Sequence, residues 1–172
     1  MKRHILTLSI LCLAALTAAA QPRFHDFQER GLILRIGGVA HTGDPGGGAP
    51  GTALSLSADY LSGRFVLGTG IDTNDTSGPL TTACVRGGLF AEGRSMSLTV
   101  YLTGRYRWSQ ERRGVLLGSG ATIDFTLAGP LAAFVTLEYV CPVVVERGCG
   151  YMHSYLAYAG QGLLGWGIRL RI

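Results

Sequence analysis

The chain closes on "GWGIRLRI", residues 165–172, and the strict alternation of that stretch constrains the fold more than any other feature. In an extended strand Trp166, Ile168, Leu170 and Ile172 share one face, while Gly165, Gly167, Arg169 and Arg171 share the other. A half-buried strand of a soluble protein reads this way. So does a strand with lipid on one side and a narrow polar interior on the other. The rest of the chain separates the two.

The pattern recurs along the sequence and predicts eight strands, at 32–40, 52–60, 64–72, 83–91, 97–108, 115–125, 131–139 and 165–172. In the first, Leu32, Leu34 and Ile36 oppose Arg35 and Gly37. In the fifth, Leu98, Val100, Leu102, Tyr106 and Trp108 oppose Thr99, Thr103, Arg105 and Arg107. The segments are about nine to eleven residues long, the length that a tilted strand needs to cross a bilayer.

Connections between the segments alternate in length. "HTGDPGGGAPG", "TNDTSGPLTT", "SQERRG" and the stretch from Cys141 to about Gly160 are long, whereas "LSG", "EGRSM" and "LAGP" are short. An up-and-down outer-membrane barrel has this asymmetry, with short periplasmic turns and longer outer loops. A secreted sandwich has no reason for it. The expected fold is therefore an all-β, eight-stranded antiparallel up-and-down transmembrane barrel spanning residues 31–172.

Charge follows the same parity. Arg35, Arg64, Arg86, Arg105, Arg107 and Arg169 fall on the non-lipid side, and so do Asp59, Asp72, Asp124 and Glu138. A lipid-facing charge near the midplane costs roughly 2–4 kcal/mol. Inside an eight-stranded barrel, side chains just fill the lumen. These ten residues are thus expected to form an interior ion-pair network that plugs the barrel without a pore. Tyr60, Tyr106, Trp108, Phe125 and Tyr139 lie at strand ends, where interfacial girdles sit.

The first twenty residues read as a secretory signal peptide: Lys2 and Arg3, then "ILTLSILCLAAL", then Ala18 and Ala20 ahead of Gln21. Leu11 before Cys12 argues against lipidation, since lipoprotein signals place a small residue there. Residues 21–30 are expected as a periplasmic segment. Beyond the signal, 13 of the 15 basic residues remain against 11 acids, a net charge of about +2. Many of those arginines alternate with apolar residues instead of clustering, which argues against nucleic acid. The 26 glycines argue against a helical bundle. Cys141 and Cys149 flank "CPVVVERGC" and are expected to pair across it in an oxidising compartment. Cys84 reads as a small buried side chain. The four histidines are scattered, so no metal or other cofactor is expected.

In layout, the chain resembles the small eight-stranded outer-membrane barrels of Gram-negative bacteria, whose last strand is read by the barrel-assembly machinery. That family usually ends on an aromatic residue, where this chain has Ile172. Two terminal segments, "QPRFHDFQERGLILR" and "MHSYLAYAGQGLLGWGIRLRI", resemble the TraO-type barrels of conjugative transposons. The cysteine those barrels carry after the cleavage site is missing here, with Phe24 in that region. This resemblance implies a structural part in mating-channel assembly for conjugal transfer instead of catalysis.

Two alternatives are open. Lipid A deacylases of the PagL type use His-x-Ser followed by an acid near the outer rim. Here His153 and Ser154 are adjacent, so they point to opposite faces if extended, and no acid follows Glu146. A soluble periplasmic barrel binding an apolar ligand is the other. The expected partners are outer-membrane lipid, the barrel-assembly machinery and conjugation or secretion apparatus proteins.

Overall fold

The computed structural model of the chain describes residues 30–42, 51–74, 80–93, 95–108, 112–147, 150–152 and 160–172. These form nine antiparallel strands: β1 (Arg30–His41), β2 (Gly51–Ser62), β3 (Phe65–Asn74), β4 (Leu80–Glu92), β5 (Met96–Trp108), β6 (Arg112–Ala128), β7 (Leu131–Arg147), β8 (Gly150–Met152) and β9 (Gln161–Arg171). Among the described residues no helix is long and apolar enough to cross a membrane. Residues 1–20, where a signal peptide is expected, the segment 21–29 and most of the long connections lie outside the described residues.

Strands β1–β7 and β9 pair in sequence order, and β1 pairs with β9, so the sheet closes into an eight-stranded barrel. Its stagger can be followed residue by residue. Gly31 pairs with Leu61, then Val66, Gly88, Tyr101, Gly120, Glu138 and Leu163, and the circuit returns to β1 at His41. A full turn thus advances ten residues along β1. With a rise of about 3.3 Å per residue and about 4.8 Å between strands, that stagger tilts the strands by roughly 40°.

The short turns share one end of the barrel with Arg30 and Ile172. Gly63 and Gly129 open the turns after β2 and β6 with φ of 60° and 51°, a left-handed conformation that favours glycine. At the opposite end β6 and β7 run on together, to 17 residues each, past the last pairing of β7 with β9 at Val140–Gln161. A bulge interrupts this arm where Leu116 meets Pro142. Proline has no N–H to give to the ladder, so the register shifts there. The three-residue β8 pairs with the tip of β7.

The arm changes the reading of Cys141. That residue lies inside β7, opposite Leu117, and carries a free thiol. The expected Cys141–Cys149 disulfide is not found: Cys141 belongs to the strand body instead of the base of a loop, and Cys149 lies outside the described residues.

Alternation sorts the side chains as the period of two requires. Leu102 is 72% exposed, Leu67 70% and Leu137 63%, and every one of the eight barrel strands contributes to this apolar outer belt. The lumen carries the opposite set, with Asp59 and Asp124 each 1% exposed. Two apolar clusters also face the lumen. Ile33, Leu61, Val66 and Phe90 pack together near the short turns. Val39, Leu116, Val140 and Leu163 pack together near the long connections.

Candidate functional site

Beside these clusters the lumen holds a charged interior in two layers. The layer nearer the short turns contains Arg35, Arg86, Arg169, Asp59 and Asp124. Arg35 on β1 pairs with Asp59 on β2 and also donates to Asp124 on β6, with Nε–Oδ1 3.2 Å and Nη2–Oδ2 3.1 Å. Arg86 on β4 reaches the same Asp59 from the other side, at 2.6 and 2.7 Å, and donates to Ser57 at 2.7 Å. Arg169 on β9 approaches Asp124 at 3.6 Å and donates to Ser97 at 3.2 Å.

The second layer is built around Arg105 on β5. Its Nε and Nη2 donate to the two oxygens of Glu138 at 2.5 and 2.9 Å, and Nη1 donates to Asp72 at 2.5 Å. Such bidentate guanidinium–carboxylate contacts are the strong form of the interaction. Buried charges require this degree of pairing, because an unpartnered charge in the interior is expensive.

Tyr101 joins the layers. Its ring lies 5.4 Å from the Arg86 guanidinium, and its hydroxyl donates to Glu138 at 3.1 Å. The opposite position on β6 is Gly120, where a Cβ would stand within 2.9 Å of the Tyr101 ring and hydroxyl. Absence of a side chain there makes room for the tyrosine.

Nine of the ten charged residues expected in the lumen point into it. Arg107 does so near the long connections, where it donates to Gln161 at 2.7 Å. Arg64 is a correction. It occupies the tight turn between Ser62 and Phe65, is exposed, and contributes its backbone carbonyl to the Phe90 N–H at 2.7 Å. The predicted third strand began one residue too early, and parity has no meaning inside a turn.

Several functional partners were not singled out from sequence. Tyr101, Ser57, Ser97 and Gln161 share the lumen parity with the arginines, and parity alone could have found them. Glu92 and Arg171 could not have been paired that way. They sit on non-adjacent strands, β4 and β9, and meet across the short-turn mouth at 2.7 Å, with Arg171 5.9 Å from the Phe90 ring.

Among the described residues, two small cavities of about 20 and 30 Å³ lie in the interior. Each has room for one or two waters. The larger lies between the charged layers, beside Arg35, Arg86, Arg105 and Glu138. Among the described residues no group of His, Cys, Asp and Glu is arranged to hold a metal ion. Cys84 is buried in the lumen as a free thiol. His153 and Ser154 lie outside the described residues.

No family model matches the sequence, and no curated protein does. Among solved structures, the chain is similar to the crystal structure of Neisserial surface protein A (NspA), at 12% sequence identity and a TM-score of 0.48. The match covers 82% of this chain and 96% of that one.

Proposed function

We propose that this protein is an integral outer-membrane barrel that serves as a non-conducting, non-enzymatic scaffold for the segments at its long-loop end. The observation that carries the reading is the inversion of polarity between the two faces of the sheet. The outer face bears Leu32, Leu56, Leu67, Leu102, Leu137 and Ile168, all exposed, among many others. Soluble proteins rarely expose a continuous apolar surface of that extent. Ten residues tilted by roughly 40° rise about 25 Å, which matches the apolar band of outer-membrane barrels. Aromatic residues fit the rims: Tyr106 and Trp108 stack near the long connections, their centroids 5.9 Å apart.

The non-conducting part of the reading rests on the lumen. Two charged layers and two apolar clusters occupy it, and the cavities beside Arg105 have room for only one or two waters each. A place in a conjugation apparatus, which the terminal resemblance implied, is supported by none of the described residues.

The test has two arms. The protein should fractionate with outer membranes, and its unheated form should migrate faster on a gel than its boiled form, because closed barrels resist detergent until heated. Reconstituted in planar bilayers, it should add no steady conductance. Recovery in the salt-washed periplasm would refute the membrane reading, and stable single-channel steps would refute the scaffold reading.

A further inference from the structure

The barrel closes where β1 meets β9, and one buried cross-strand pair of that seam, two positions from its short-turn end, is repulsive. Arg35 and Arg169 stand directly opposite each other in the ladder. Both are buried, at 5% and 3% exposure, so water does little to screen them. Like charges directly opposite one another destabilise a strand pair. The next two lumen-side pairs, Gly37 with Gly167 and Val39 with Gly165, put little side chain across the seam to offset the repulsion.

A carboxylate from a third strand stands between the two arginines. Asp124 on β6 accepts from Arg35 at 3.1 and 3.2 Å, lies 3.6 Å from Arg169, and is oriented by the Ser97 hydroxyl at 3.0 Å. Arg35 has a second carboxylate in Asp59. Among the described residues, Asp124 is the one carboxylate within ion-pair distance of Arg169.

We infer that Asp124 is an electrostatic latch for the β1–β9 seam, so that the first and last strands pair stably only once β6 has delivered its carboxylate into the lumen. Removal of that charge leaves two guanidiniums facing each other across the seam, one with no counterion. The resulting instability is local: it acts on β1 against β9, not on the β3–β4 ladder, which Asp124 does not touch.

The experiment compares the parent protein with Asp124→Asn and with Asp124→Asn/Arg169→Met, each folded in detergent micelles and followed by amide hydrogen exchange. Asn keeps the volume of Asp124 without its charge. Exchange in 33–39 and 165–171 should accelerate at least tenfold in Asp124→Asn, while 66–72 and 83–88 stay within threefold of the parent. The double variant should return the seam to within threefold of the parent, because the facing charge has been removed with its counterion. Uniform acceleration in all strands would show that Asp124 is a general core residue and overturn the inference. Failure of Arg169→Met to restore the seam would do the same. If Asp124→Asn does not fold at all, the double variant decides: the latch requires it to fold and to keep its seam protected.

Discussion

Arg105 and Glu138 hold each other in a two-pronged ion pair that spans a strand. Arg105 comes from β5 and Glu138 from β7, with β6 between them, and the contacts are 2.5 and 2.9 Å. The strands of this barrel are therefore tied through the lumen as well as around the wall. Glu138→Leu should still insert but leave Arg105 with Asp72 alone, at a cost of about 3–5 kcal/mol. Urea midpoints in lipid vesicles measure it, and a midpoint equal to the parent's would remove the network from any account of stability.

The neighbouring position gives the opposite expectation. Leu137 faces outward and is 63% exposed. Leu137→Arg should impair insertion or cost roughly 2–4 kcal/mol through a lipid-facing charge. A one-residue shift in register would exchange the outcomes at 137 and 138. Parent-like refolding of Leu137→Arg, together with failure of Glu138→Leu to insert, would reverse the inside–outside assignment of β7.

Tyr101 separates ring from hydroxyl. Tyr101→Phe keeps the ring beside Arg86 and loses the bond to Glu138, so it should cost about 1 kcal/mol. Tyr101→Ala also empties the space over Gly120 and should cost about 3–5 kcal/mol. Equal losses from the two variants would show that the ring contributes nothing.

Ion pairs at the mouth should matter less. Glu92 and Arg171 meet at 2.7 Å, but their side chains are 42% and 20% exposed. Screening by water leaves Glu92→Gln at less than about 1 kcal/mol, and the loss should shrink further as salt is raised. A loss equal to that of Glu138→Leu, unchanged by salt, would contradict this ordering.

Glycines on the wall should differ by position. A Cβ at Gly37 would strike the Trp166 carbonyl across the closing seam, whereas one at Gly87 meets only the Val66 carbonyl oxygen, at 4.0 Å. Gly37→Ala should lower the unfolding temperature of the unheated gel band. Gly87→Ala should leave it level or raise it, since glycine inside a strand costs about 0.5–1 kcal/mol relative to alanine.

Alternation in the sequence determined which residues face outward and which face the lumen, because a strand's period is two and does not depend on its neighbours. The unequal connections likewise determined the up-and-down order. Closure decided the rest. Arg35 finds Asp124, 89 residues away, only because the sheet bends into a ring with a ten-residue stagger. No periodicity encodes that meeting across the lumen. Arg64 and Cys141 turn on strand ends, which alternation does not mark: Arg64 falls in the turn before β3, and Cys141 lies in β7, which runs on past its last pairing with β9. Closure also gathers the apolar clusters. Ile33 and Val140 share the parity of the arginines, and only the closed barrel brings each together with residues of other strands.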